Sequence, residues 1–492
     1  MIDSYLCSMS TKPQDIFPKI ISHCKEYGYV FPSSEIYDGL AAVYDYGPYG
    51  VELKNNIKQY WWNAMTRINE NIVGLDAAIF MAPKVWKASG HVDSFSDPMI
   101  DNKDSKKRYR ADNLIEDKIA QYEKKGKTDK ATALQNALDA CMVENNLGGL
   151  KALIEEHEIV DETGSKNWTD VRQFNLMFGT QMGSVAETAD EIYLRPETAQ
   201  GIFVNFLNVQ KTSRQKVPFG IAQIGKAFRN EIVARQFLFR MKEFEQMEMQ
   251  FFVRPGTEME WYAHWKQKRM NWHLSLGIAA DKYRFHDHAK LAHYANAAVD
   301  IEYEFPFGFK EVEGIHSRTD FDLKQHMEHS GKKLQYFDPE INENYVPYVV
   351  ETSIGADRMF LLVLCNAYTE EKLEDGSERL VLKIPPVLAP VKVALLPLLK
   401  KDGLPEKARE IMDQLRFHFR CQYDEKDAIG RRYRRQDAIG TPYCITIDHD
   451  TLVDQAVTIR FRDTMEQKRI PITEILATIQ DELSEEKLLK KI

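Results

Sequence analysis

GIAQIGKAFRNEIVARQFLFRMKEFEQMEMQFFV, residues 220–253, reads as two strands joined by a basic loop. In the first strand, period-two alternation puts Gln223, Gly225, Ala227, Arg229 and Glu231 on one face and Ala222, Ile224 and Phe228 on the other. In the second, Gln246, Glu248 and Gln250 share a face, while Met247, Met249 and Phe251 share the opposite one. The small residues before Arg229 leave room for a ligand, and the apolar faces suit packing on helices. Pairing of the two strands brings Arg235, Arg240 and Lys242 over Arg229, Glu231 and Glu248. Alone, each such arginine reads as a surface ion pair; grouped with the carboxylates, they suit a bound polyphosphate and an amine.

Downstream, PYVVETSIGADRMFLLVL (347–364) reads as a strand carrying Glu351 and Ser353 on one face, followed by Gly355 and a helix with Arg358 in its first turn. A helix N-terminus offers unpaired N–H groups, and a guanidinium beside it suits phosphate oxygens. The alternative for Arg358 is a buried bridge to Asp357 or Glu351. Several alternating runs between 190 and 365 predict a mostly antiparallel sheet. Residues 112–158 are rich in Lys, Glu and Ala, with Leu114, Ile115, Ile119 and Tyr122 at helical spacing, and read as a solvated helical pair inserted in the chain. IPPVLAPVK (384–392) reads as a linker into a small α/β domain.

The chain has 492 residues, 43% hydrophobic and 28% charged, in keeping with several globular units. Its most apolar window, Ile384–Leu399, is broken by four prolines and Lys392, so no membrane span of roughly 18 apolar residues is expected. The opening MIDSYLCSMSTKPQD lacks the pattern of a secretory leader, and the cytoplasm is the expected location. Cysteines 7, 24, 141, 365, 421 and 444 form no CxxC pair and read as reduced structural thiols. The net charge of −9 decides little about nucleic acid, because local charge sets phosphate contacts. One local run, GRRYRRQDAIGTPY from 430, has Arg431, Arg432, Arg434 and Arg435 around Tyr433. It reads either as a phosphate-holding, base-stacking surface or as a solvated face with some arginines serving the fold.

FRNE at 228–231 with the loop after it, and GADR at 355–358, resemble the second and third signature motifs of class II aminoacyl-tRNA synthetases. YDGLAAVYDYGPYGVELKNN from 37, LRPETAQGIF from 194, EFEQMEMQFF from 243, LAHYANAAVDIEYEFPFG from 291 and HSRTDFDL from 316 are similar to glycyl-tRNA synthetases of the dimeric type. That resemblance spans nearly the whole chain. It implies an α+β fold: an antiparallel β-sheet catalytic core of six or so strands flanked by helices, with a helical insertion and a C-terminal α/β anticodon-binding domain. The implied division is 1–110, an N-terminal catalytic part with the dimer-interface region; 111–170, the insertion; 171–387, the core; and 388–492, the anticodon-binding domain. Implied partners are glycine, ATP with Mg2+, tRNA(Gly) and a second copy of the chain, with no membrane.

By the same resemblance, ATP contacts fall on Arg229, Asn230, Glu231, Phe239, Arg240, Met241, Lys242, Glu243, Phe244, Glu311, Val312, Gly355, Ala356, Asp357 and Arg358. Glycine contacts fall on Arg110, Glu197, Phe244, Glu245, Gln246, Met247, Glu248, Glu351, Thr352, Ser353, Ile354 and Gly355, and tRNA contacts on Arg431 to Arg435. Arg229, Glu231 and Arg358 are the expected catalytic groups. An ionised substrate carboxylate needs no general base, so catalysis reduces to orientation and charge neutralisation. Glycine offers no side chain to grip; recognition falls on its ammonium group and on steric exclusion of larger amino acids, for which no editing domain is needed.

Three departures from the family pattern stand out. Many relatives carry a CxxC pair where this chain has Asn102 and Ser105, so the protein is expected to hold no zinc and no metal ligand is assigned. Thr352 stands where proline is common, and Lys242 stands where arginine is usual, which keeps the charge but loses the planar fork. A synthetase-like binding protein without catalysis would lack the phosphate ligands, and class II enzymes for proline, histidine or threonine would lack PETAQG with EFEQME.

Overall fold

The computed structural model describes residues 13–183, 190–232, 236–288, 291–292 and 294–492; Cys7 and Arg235 lie outside the described residues. The largest sheet has seven strands: β1 (Ile72–Gly74), β2 (Phe219–Phe228), β3 (Glu243–Val253), β4 (Tyr283–Asp287), β5 (Ala297–Phe305), β6 (Gly308–Thr319) and β7 (Tyr348–Gly355). They lie in the order β4-β5-β6-β7-β3-β2-β1, antiparallel throughout except for β1 on β2. The expected pairing of 220–228 with 243–253 is present, with Glu248 opposite Gln223 on one side and Ser353 on the other.

Alternation gives this sheet two unlike faces. Met247, Met249, Phe251, Ile315 and Ile354 point into the main core. Gln246, Glu248 and Gln250 occupy the opposite face, which turns apolar further along at Phe252 and Val349. A buried ion-paired group also sits on the core side, where Arg269 Nε donates to Glu313 at 2.5 Å and the His273 ring lies 2.9 Å from the same carboxylate.

Helices in chain order close this layer. The helix α1 (Pro48–Trp62) packs on the core side. Next come α2 (Ala111–Lys124), α3 (Thr128–Val143) and α4 (Leu147–Glu156), three helices where the sequence predicts a pair. They enclose a small core of their own, which also takes Ile100 and Val171 from outside 111–170. Then α5 (Ala199–Val204) covers the apolar end of the polar face, while α6 (Glu258–Ser275) and α7 (Ala356–Ala367) pack on the core side.

After the proline-rich link, β8 (Val393–Pro397), β9 (Cys421–Tyr423), β10 (Tyr443–Ile447), β11 (Ala456–Phe461) and β12 (Gln467–Pro471) form a mixed sheet in the order β9-β8-β10-β11-β12. It carries a separate core with α8 (Leu404–Leu415), and α9 (Ile429–Ala438) holds the arginine run. Cys24, Cys141, Cys365, Cys421 and Cys444 are free thiols. Among the described residues no helix is long and apolar enough to cross a membrane.

Candidate active site

The polar face of β3 and β7 opens into a cleft. Its cavity, about 170 Å³, is lined by Arg229, Glu231, Phe239, Arg240, Gln246, Glu311, Ser353 and Arg358 among others. Phe239 and Arg240 also line an adjoining cavity of about 290 Å³, which Arg110 and Lys310 border. Strand pairing thus brings together groups more than a hundred residues apart.

Two arginines dominate the cleft. Arg229 Nε donates to the Pro196 carbonyl at 3.0 Å, and the guanidinium lies 5.4 Å from the ring centres of both Phe95 and Phe244. Arg358 lies 4.4 Å from the Phe239 ring and donates to the carbonyls of Phe239 and Glu311, both at 3.2 Å. Its Nη1 is also 3.1 Å from the Glu311 carboxylate, and this charge, outweighing burial, holds Glu311 below the usual carboxylate range. A guanidinium has five N–H donors, so both arginines keep donors in hand for an anion. Glu231 sits 3.8 Å from Arg240.

Deeper in, three carboxylates converge. Burial favours the neutral form of Glu351, but Arg318, 3.1 Å away, and His316, at 2.9 Å, outweigh it and keep the carboxyl well below its ordinary range. Glu197 likewise overcomes burial through His91 and Arg318 and sits at about 2, with Gln200 donating to it at 2.9 Å. Glu248 goes the other way: burial, with Glu351 and Glu197 nearby, drives its carboxyl far above the usual value. Thr198 Oγ1 donates to one of its oxygens and Gln250 Nε2 to the other at 2.7 Å, while the same Gln250 nitrogen bonds Glu351 at 2.6 Å. A cation entering this pocket would meet two ionised carboxylates and a third ready to ionise.

Several expected contacts point elsewhere. The side chains of Met247 and Ile354 lie in the core, with Val312 and Ala356. Thr352 shares their side of β7 and is buried, so only its backbone borders the cleft face. Asp357 accepts bonds from Tyr46, from Lys54 Nζ at 2.6 Å and from the Glu245 amide at 2.7 Å, while Glu245 pairs with Lys54 and Lys58. Both acids line the cleft cavity, as expected, and also pin α1 to the sheet. Glu243 pairs with Lys226, and Lys242 and Met241 adjoin Arg240 in the loop. Asn230 donates its amide to the Leu176 carbonyl at 2.8 Å. Arg110 bridges Asp97 and Asp112, at 2.9 and 2.6 Å, outside the carboxylate pocket.

The open space expected above Gly225 is filled: a Cβ there would meet Arg195 Nη2 at 2.2 Å, and that guanidinium donates to the Lys226 and Ala77 carbonyls. Gly225 serves Arg195, not a ligand. At Asn102 and Ser105, the Asn102 carboxamide accepts the amides of Asp104 and Ser105 at 3.0 and 3.1 Å, and so ties the loop itself.

Arg318, Thr198, Gln250 and His91 were not among the expected site residues. Arg318 lies in HSRTDFDL and Gln250 on the predicted polar face, so a signal existed for both. His91 and Thr198 depend on long-range packing.

In α9, Arg432 is enclosed and donates to the carbonyls of Pro397, Leu398 and Asp424, at 2.6, 3.1 and 3.2 Å. Arg435 is held by Asp424 and Asp427, and the Tyr433 hydroxyl bonds Thr446 at 2.6 Å. The expected base-stacking face of Tyr433 is packed over β8 and β10 instead. Arg434 is partly buried, and Arg431 is exposed.

Comparison with known proteins matches three family models to the chain. They are a tRNA synthetase class II core domain (G, H, P, S and T) over 181–367, a glycyl-tRNA synthetase insertion domain 1 over 97–133 and 127–176, and an anticodon binding domain over 392–482. Glycine–tRNA ligase of Chlorobaculum tepidum is 56% identical over 466 residues, covering 94% of this chain and 99% of the relative. That of Geobacillus thermodenitrificans is 54% identical over 469 residues, covering 95% and 97%. That of Treponema denticola is 50% identical over 472 residues, covering 94% and 96%. Identity of this extent, over a class II core, an insertion domain and an anticodon-binding domain in one chain, places the protein in the glycine–tRNA ligase family of class II aminoacyl-tRNA synthetases.

Proposed function

We propose that this chain joins glycine to ATP, releasing pyrophosphate, and transfers the glycyl group to the 3′ end of tRNA(Gly). The observation that carries this reading is a cleft lined by Arg229, Arg240 and Arg358 on the sheet face where the buried carboxylates Glu248 and Glu351 follow, with Glu197 beside them. Arg229 takes the α-phosphate and Arg358 the γ-phosphate, so the glycine carboxylate can approach phosphorus without the repulsion of like charges. The ionised and half-exposed Glu311 carboxylate is a hard oxygen donor that would hold Mg2+ brought by ATP, and the ion would supply neutralisation of phosphate charge. Phe239 and Phe244 give the nucleotide flat surfaces beside these charges.

Glu197, Glu248 and Glu351 receive the glycine ammonium group, and the neighbouring Arg318, Gln246 and Ser353 fill the space a larger amino acid would need. No side chain has to act as a base, because the attacking carboxylate is already ionised. ATP–pyrophosphate exchange across the amino acids tests the reading: exchange should require glycine, and equal exchange with alanine or serine would overturn it.

The division into an N-terminal part, an insertion, a core and an anticodon-binding domain belongs to the same reading. So does a homodimer in the cytoplasm. Ile36, Tyr37 and Leu40 are 88%, 80% and 57% exposed on one short segment, an apolar surface that suits a second copy. Sedimentation equilibrium should give twice the chain mass, and Tyr37→Glu should lower it. The tRNA-holding role falls within α9 to Arg431, the exposed arginine of the run.

A further inference from the structure

On the same sheet face, beyond Glu351, three side chains from separate segments converge. His288 follows β4, Asp300 is on β5 and His316 is on β6; each offers one ligand atom, and these atoms lie within 4.8 Å of one another. We infer that His288, Asp300 and His316 form a binding site for a divalent transition-metal ion of the Zn2+ class.

The geometry supports this in four ways. His288 Nε2 is already 2.9 Å from Asp300 Oδ2, and the His288 and His316 rings are 5.9 Å apart, so small side-chain rotations bring three donors around one ion. His316 faces Glu351 through Nδ1 at 2.9 Å, which leaves Nε2 for the metal. A ligating histidine characteristically gives its other ring nitrogen to a carboxylate, which fixes the tautomer and raises its basicity. The floor between the ligands is Gly314, where a Cβ would lie 2.9 Å from His316 Cε1 and 3.7 Å from Asp300 Oδ1. Any larger residue there would fill the space between the two ligands. Finally, two imidazoles and one carboxylate match the preference of Zn2+ and its neighbours over Mg2+ and Ca2+, which favour oxygen, and three protein ligands leave a coordination position open.

The neighbouring His286 is not part of the set. It faces Glu302 at 3.1 Å, and Arg284 bonds the same carboxylate at 2.6 Å. The site is also remote in the chain from the loop at Asn102 and Ser105, where the sequence argues against zinc. All three ligands are only partly buried, so an ion can enter from solvent.

The test is direct and independent of catalysis. Full-length protein is stripped with a chelator, dialysed, and titrated with zinc sulfate by calorimetry. One equivalent should bind, and His288→Ala and Asp300→Asn should each weaken binding at least tenfold, with thermal melting of the metal-free proteins unchanged. His286→Ala should bind as the parent does. X-ray absorption of the loaded protein should show imidazole in the coordination shell. No saturable binding, unchanged affinity in both ligand variants, or an equal loss in His286→Ala would each overturn the assignment.

Discussion

The catalytic cleft and α9 are both rich in arginine, and they use it in opposite ways. Arg229 and Arg358 stack against aromatic rings, donate to a few carbonyls and keep N–H groups directed into a cavity. Arg432 commits its guanidinium to three backbone carbonyls and is 2% exposed, and Arg435 is neutralised by two aspartates. Beside them Asp437, fully buried, joins Arg379 and Arg460 at 2.8 Å each. One region holds cations for a ligand; the other consumes them in holding α9 to its sheet. Residue type and clustering are the same in both, and only the partners differ.

Alanine in place of Arg229 or Arg358 should produce the largest effect: glycine-dependent pyrophosphate exchange falls by about 10²–10³-fold or more, the scale for losing a preorganised charge contact in a transition state. Melting temperature should stay near the parental value, because neither group anchors the core. Exchange near the parental rate in a folded variant would erase the distinction between the two regions from the catalytic side.

Arg432→Ala tests it from the other side. Three buried carbonyls lose their donor, so stability should drop by roughly 3 kcal/mol. Exchange per folded molecule should remain within about twofold, since α9 is outside the catalytic sheet. Denaturant unfolding with an exchange assay on the same samples checks both halves. Parental stability with weakened tRNA binding would return Arg432 to the tRNA face.

The paired strands, their register and the helix-first-turn Arg358 were legible because period-two alternation exposes a polar face inside an apolar sequence. Glu351, Ser353, Gln246 and Glu248 all fall on that face as expected. What the alternation could not carry is who fills the space above it. Arg195, thirty residues upstream of Gly225, occupies the gap above the small residues. The third insertion helix was hidden because it opens on Gly148 and Gly149, poor helix formers; the Asn146 side chain, accepting the Gly149 amide at 2.8 Å, caps it. In α9 the sequence shows four arginines but not the carbonyls and aspartates that take Arg432 and Arg435 out of play.

Lys392, in the link between the regions, sharpens the comparison with a cation that can shed its charge. Its Nζ donates to the Pro386 and Val387 carbonyls at 3.1 and 2.6 Å, and burial, only partly opposed by Glu485 and Glu52, lowers its pKa to about 7. In the unfolded chain the ordinary value is 10.5. The folded state therefore bears the full cost of a buried charge below pH 7, and that cost shrinks as pH rises from 7 toward 10.5. Lys392→Met removes it, so the variant should gain roughly 2–3 kcal/mol more stability, relative to the parent, at pH 6 than at pH 9. Thermal melts at the two pH values measure the difference; a gain equal at both would mean the amine titrates normally.

The smallest effect is expected at Arg431, the one arginine of the run that the fold leaves exposed. Its charge is felt by Asp427, but it is not enclosed as Arg432 is. Reversal to glutamate removes one phosphate-binding cation and adds a repulsive charge, so the Michaelis constant for tRNA should rise about three- to tenfold, within the 1.4 kcal/mol per decade of affinity. Fewer counterions are then released on binding, and the slope of log affinity against log salt should flatten by about one. Glycine-dependent exchange and melting temperature should not change, since neither the cleft nor the core contains the residue. If exchange fell together with tRNA charging, the cleft and α9 would be coupled and the two uses of arginine would not be separable. If nothing changed, α9 would be wholly a structural element, and tRNA would be held by another surface.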